Sequence, residues 1–214
     1  MKSITRQKPT AEILEQLNGL GSIFIIGCGT CTTMTRTGGI DEVIEMRERL
    51  KQAGKMVTGV SVVPVACDDM TEVNLRENQD AIQSADAILA MPCALGVQKI
   101  NSYLMKPVIP ALDTLFIGLE FRPGDFHEVC AQCGQCVIGW TGGICPITYC
   151  HKHMVNGPCG GTNNGKCEVS KEKDCAWTLI YQRLKEIGRL DLMRRYRPIQ
   201  NAQVTPRPRV TLVT

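Results

Sequence analysis

The apolar positions in the first half of the chain fall in short unbroken runs. Ser22–Cys28 reads SIFIIGC, residues 58–67 read TGVSVVPVAC and residues 87–93 read AILAMPC. Runs of this length, rich in Ile and Val and with no polar side to face water, predict strands buried on both faces. Residues 108–112 and 115–119 predict two more strands. The intervening segments have helical spacing. Residues 39–53 place Ile40, Val43, Ile44 and Leu50 on one face, and Gly54 supplies a stop. Residues 73–84 and 95–104 predict further helices. This alternation predicts an α/β fold on an open parallel sheet, Rossmann- or flavodoxin-like, with right-handed crossovers.

The rhythm stops in the second half. From Cys130 to Cys175 the chain is rich in Gly and Cys and nearly without aliphatic periodicity. Such a segment folds around something it binds, so an irregular, ferredoxin-like cluster-binding domain is expected. Residues 176–187 (AWTLIYQRLKEI) return to helical spacing, with Leu179, Ile180, Leu184 and Ile187 expected to face inward. Residues 197–214 carry Pro198, Pro206 and Pro208 without periodicity and read as an extended arm. The expected organisation is an α/β domain over 1–120, a Cys-rich domain over 121–190 and a basic arm over 191–214.

Composition sharpens this division. The chain has 214 residues, 43% of them hydrophobic, enough for a core. No apolar run is long enough to cross a bilayer, and the polar N-terminus does not resemble a secretory signal. A cytoplasmic, reducing location is therefore expected, where structural disulfides are rare. The twelve cysteines then point to metal, iron–sulfur clusters or dithiol chemistry. The net charge of +3 carries no nucleic-acid signature, although residues 118–214 hold thirteen basic and eight acidic residues.

Four cysteines lie in the α/β segment. Cys28 and Cys31 form a C-x-x-C after the first strand, Cys67 closes the second run and Cys93 the third. Parallel strands present their carboxyl ends on one rim, where ligands bind. Four thiols on that rim suit a [4Fe–4S] cluster or a tetrahedral zinc. The alternatives are buried hydrophobic cysteines at positions 67 and 93, or a dithiol oxidoreductase using Cys28 and Cys31 alone.

The other eight are Cys130, Cys133, Cys136, Cys145, Cys150, Cys159, Cys167 and Cys175. The opening C-x-x-C-x-x-C can grip three irons of a cubane, and Cys145-Pro146 echoes a ferredoxin ending. Two sets of four are expected, with their partition open. Zinc competes, with His151 and His153 as candidate ligands. Counting in fours gives three [4Fe–4S] clusters, one on the first domain and two on the second.

Other motifs carry less. Residues 160–167 (GGTNNGKC) approach a P-loop, but Cys167 replaces the magnesium-binding hydroxyl. Asp68 and Asp69 read as a solvated turn. The arginines from Arg183 to Arg209 read as a solvated face, or as a docking surface for an acidic redox partner.

The stretch CAQCGQCVIGWTGGICPITYCHKHMVNGPCGG…GKCEVSKEKDCAW resembles the methylenetetrahydrofolate reductase C-terminal domain family. The N-terminal GCGTC agrees with it. The resemblance implies an accessory iron–sulfur subunit in one-carbon metabolism of the Wood–Ljungdahl type, without an active site of its own. It implies electron relay from a donor protein, a ferredoxin or an NADH-linked iron–sulfur/flavin subunit, to the flavin of a MetF-like reductase partner. The family is also described as zinc-containing, which leaves a zinc-bound scaffold subunit as the alternative.

Overall fold

The computed structural model describes residues 2–198, 201 and 207–211. The chain divides into two compact units, Met1–His127 and Glu128–Thr214.

The first unit is α/β. It opens with β1 (Lys2–Gln7) and α1 (Thr10–Gln16), then β2 (Ser22–Cys28), α2 (Cys31–Met34), α3 (Ile40–Gln52) and β3 (Met56–Val63). The helices α4 (Met70–Glu77) and α5 (Gln79–Gln83) lead to β4 (Ala87–Ala90), and α6 (Ala94–Tyr103) leads to β5 (Val108–Pro110). The parallel sheet has the order β3-β2-β4-β5. Side chains alternate across a strand, so β2 serves two cores. Ile23 and Ile25 pack with Ile13 of α1, Leu17 just after it, and Val43, Met46 and Leu50 of α3. Phe24, Ile26 and Cys28 pack with Leu75, Ile82 and Ile100 of α4, α5 and α6. Helices on both faces explain why the strand has no polar side.

Several elements differ from expectation. β3 and β4 stop at Val63 and Ala90, just short of Pro64 and Pro92. Proline lacks the N–H that a sheet ladder needs, so Cys67 and Cys93 lie on the connections beyond the strands. Helix α3 buries Val43, Met46 and Leu50, while Ile40 is 52% exposed. The predicted helix over 73–84 is two helices meeting at Asn78, whose side-chain amide donates to the Asn74 carbonyl at 2.8 Å. The last two predicted strands serve different sheets. After β5, β6 (Leu112–Arg122) leaves for an antiparallel sheet, β1-β6-β7, with β7 at Asp125–Glu128.

Beyond Glu128 the described residues form short helices and two isolated bridges, Asn163 with Lys166 and Lys166 with Asp174. A 3-10 turn (Ile138–Trp140) precedes α7 (Pro146–Tyr149) and α8 (Ala176–Glu186), and a second covers Leu190–Arg194. The core here is Trp177, Ile180, Leu184 and Leu192. Ile187, expected inward, is 43% exposed. Of the predicted arm, residues 199–200, 202–206 and 212–214 lie outside the described residues, Pro206 among them. No described helix is long and apolar enough to cross a membrane.

Candidate functional site

None of the twelve cysteines is in a disulfide. In the first unit the carboxyl ends of β2, β3 and β4 lead into loops that carry four thiols together. Cys28 ends β2, Cys31 starts α2, Cys67 lies between β3 and α4, and Cys93 caps α6. The loops are tied to one another. The Gly29 amide donates to the Val63 carbonyl at 2.8 Å, joining the Cys28–Cys31 turn to the end of β3. A Cβ on Gly96 would stand 2.6 Å from Pro92 Cβ and 2.9 Å from Ala66 Cβ. Glycine at that position therefore lets the start of α6, with Cys93, close on the loop that carries Cys67. The Lys99 ammonium reaches Asp69 at 3.2 Å across the same gap.

The electrostatics of Cys67 points to the same neighbourhood. Partial burial pushes the Cys67 thiol above its ordinary value, and negative charge at Cys93, Cys28 and Cys31 pushes it further. A thiolate feels three others only if all four share one neighbourhood. Cys28 and Cys93 are buried and Cys67 is exposed, so the group opens to solvent on the Cys67 side.

In the second unit α7 separates two groups. Cys145 caps its start, where Pro146 needs no amide hydrogen, and Cys150 caps its end. Thr148, within the helix, serves the first group. Its hydroxyl lies 3.5 Å from Cys145 Sγ and accepts from the Ala131 amide at 3.1 Å, bringing Cys145 to the Cys130–Cys133 turn. The Gln132 amide approaches Cys130 Sγ at 3.4 Å, and Cys133 Sγ lies 3.7 Å from the Gln135 carbonyl. The basic tail holds this loop. Arg197 donates to the Val137 carbonyl at 3.2 Å and Arg209 to the Gln132 carbonyl at 2.8 Å. Arg195 and Arg197 also lie over the Trp140 ring, at 4.3 and 5.2 Å from its centre. These arginines thus spend donors and ring contacts on their own chain.

The second group surrounds a cavity of about 20 Å³. Cys150, Cys159, Cys167 and Cys175 all line it, with Thr162, Lys152, Glu168 and Trp177. Cys175 caps α8. Burial pushes its thiol upward, but the Thr178 and Trp177 amides and the Thr178 and Thr162 hydroxyls outweigh burial and leave it below its ordinary value. In the same wall, Lys152 and Glu168 form an ion pair, and Glu168 Oε1 lies 3.4 Å from Cys159 Sγ.

The contacts bring Cys67 near Cys28, Cys31 and Cys93, Cys145 near the Cys130–Cys133 turn, and Cys150, Cys159, Cys167 and Cys175 around one cavity. Cys136 is exposed and lies three residues beyond Cys133 in the same loop. His151 and His153 do not line the cavity. Among the described residues, no three His, Cys, Asp or Glu side chains converge as a formed metal shell. Asp68 accepts from the Met70 amide at 2.9 Å and Asp69 pairs with Lys99, as suits a solvated turn. Residues 160–167 turn back through the Asn163–Lys166 bridge, with no strand before and no helix directly after. Thr148, Thr162, Thr178, Lys152 and Glu168 had no motif to announce them; their only signal is sequence proximity to a cysteine.

Residues 109–203 match the family model described as methylene-tetrahydrofolate reductase C terminal. A curated relative, the hydrogenase maturation factor HypA of Methanococcus vannielii, is 23% identical over 104 residues, 49% of this chain and 81% of the relative. Among solved structures, an ABC transporter substrate-binding protein from Sphaerobacter thermophilus is similar over 49% of this chain and 28% of its own, with a TM-score of 0.36 and 20% identity.

Proposed function

We propose, from the premise that residues 109–203 belong to the methylene-tetrahydrofolate reductase C-terminal family, that this chain is the iron–sulfur electron-transfer subunit of a methylenetetrahydrofolate reductase complex. The observation that carries the reading is the gathering of Cys150, Cys159, Cys167 and Cys175 around one cavity. The donor sets fit the cofactor. Each proposed group is all-thiol, which suits [4Fe–4S] ligation, and amides and hydroxyls stand at several of the sulfurs.

On this reading Cys28, Cys31, Cys67 and Cys93 hold one cluster. Cys130, Cys133, Cys136 and Cys145 hold a second, and Cys150, Cys159, Cys167 and Cys175 a third. Such clusters supply single-electron transfer when bound. The chain's own residues orient the thiols, donate hydrogen bonds to sulfur and limit water. One turn of helix, α7, separates ligands of the second and third groups, which keeps those two sites within a short hop. The flavin, the folate and the catalytic steps belong to the reductase partner, and electrons come from a separate donor protein.

The test is elemental. Protein purified and reconstituted without oxygen should be brown, with a broad visible band that dithionite bleaches. It should hold about 12 iron atoms per chain, four for each of three clusters. Colourless protein carrying zinc would overturn the relay.

A further inference from the structure

The cavity between Cys150, Cys159, Cys167 and Cys175 contains a group that does not suit it. Ligating sulfurs are thiolates, and a carboxylate beside them adds like charge. Yet Glu168 lines this cavity with Oε1 3.4 Å from Cys159 Sγ. Its partner is Lys152, in the same wall. The pair is partly solvated, with the Lys152 side chain 45% and that of Glu168 38% exposed. An ordinary exposed pair contributes little and needs no built space. Here Gly161, which has no side chain, leaves room beside the Glu168 carboxylate.

The pair also occupies a particular place in the thiol frame. Lys152 follows Cys150 by two residues, and Glu168 follows Cys167 directly. Together with the Glu168–Cys159 contact, they tie the segments of three cysteines. The fourth, Cys175, is served by the start of α8 and by two hydroxyls instead. The cavity wall thus carries neutral donors at Cys175 and a cation at Lys152.

We propose that Lys152 and Glu168 set the charge balance of the group held by Cys150, Cys159, Cys167 and Cys175, Lys152 as the cation that favours its reduced form and Glu168 as the anion that opposes it. This rests on the cluster reading above. One-electron reduction adds negative charge to the site, so a fixed cation favours the reduced form and a fixed anion opposes it. The two partners must therefore act with opposite signs.

The experiment uses the full chain, reconstituted with iron and sulfide and titrated with dithionite while the cluster signals are followed by electron paramagnetic resonance. Cys175→Ser identifies the signal of this site by abolishing it and removing iron. Lys152→Met should then shift that signal about tenfold toward the oxidised form at fixed poise, about 59 mV downward for a one-electron couple. Glu168→Gln should shift it upward, and Lys152→Arg should leave it near wild type. Iron contents equal to wild type in these three variants show that folding and loading are intact. If both substitutions move the signal the same way, or neither moves it, or iron is lost equally from both, the pair is only a staple and the proposal falls. If Cys175→Ser removes no iron, the cluster reading itself fails at this site and the proposal falls with it.

Discussion

Asp86 holds the start of β2. Its Oδ2 accepts from the amides of Gly21 and Ser22, both at 2.8 Å, and its own amide donates to the Ser22 hydroxyl at 3.0 Å. Hydrogen bonds from Ser22, backbone and hydroxyl, and from the Gly21 amide hold the carboxyl below its ordinary value of 3.8. A depressed carboxylate contributes stability that is full above the unfolded value and lost as pH falls through the folded one. Asp86→Asn should lower Tm by a few degrees at neutral pH. The gap from wild type should narrow as pH is taken below 3.8. A gap that stays constant to the acid limit would show that the charge of Asp86 is not what matters. At this scale the sequence names the ligand candidates but not their surroundings. Cys159 and Cys175 are the same letter, yet one thiol meets a carboxylate and the other a helix start and two hydroxyls. That difference depends on which residues fold back, and spacing alone does not carry it.

At the scale of elements, the antiparallel sheet joins the two ends of the first unit. The family match begins at residue 109, inside β5, and takes in all of β6. Yet β6 is paired along β1, from Lys2 opposite Gly118 to Gln7 opposite Leu112, with a bulge between Ile4 and Thr5. The matched stretch thus borrows a strand from the other end of the chain. Deleting residues 2–8 should strip protection from β6 while the parallel sheet keeps its own. Hydrogen exchange should quicken across 112–118 and stay slow across 23–26. Unchanged exchange in β6 would show that β1 contributes no cooperative structure. The same contrast explains what was legible. A central parallel strand is buried on both sides and announces itself as SIFIIGC, whereas β1 is KSITRQ, an edge strand with polar positions that no apolar run marks. α1 is a single short stretch behind Pro9 and passes as loop. The strand ends were misplaced for a local reason: Pro64 and Pro92 sit inside apolar runs but cannot continue a ladder. Loops leaving adjacent parallel strands still share one edge, so the misplaced ends do not by themselves disperse the four thiols.

At the scale of the molecule, the two units are held by different means. The first has two extensive cores on opposite faces of its sheet, built from Ile, Leu, Val, Met and Phe. The second, among its described residues, has one core of Trp177, Ile180, Leu184 and Leu192, with Trp177 Nε1 donating to the Met154 carbonyl at 2.8 Å. Its remaining frame is loops around eight thiols. Ordering a loop-rich segment of this length against so small a core is unfavourable unless ligation adds to it. The first unit has no such need, since its thiols sit at the rim of a sheet that is already packed. Removing metal by acid and chelator should therefore separate the units. Limited proteolysis of stripped protein should cut within 130–175 and leave a resistant fragment ending near His127, and hydrogen exchange should stay slow in β2 and β4. Reloading with iron and sulfide should restore resistance in 130–175. A second unit that resists protease equally with and without metal would mean that its core suffices, and the eight thiols would then serve reactivity rather than folding. A first unit that melts with the second would mean that Cys28, Cys31, Cys67 and Cys93 hold the sheet edge together as well as any cluster. The four-residue core of one unit and the two-sided core of the other argue for the first outcome.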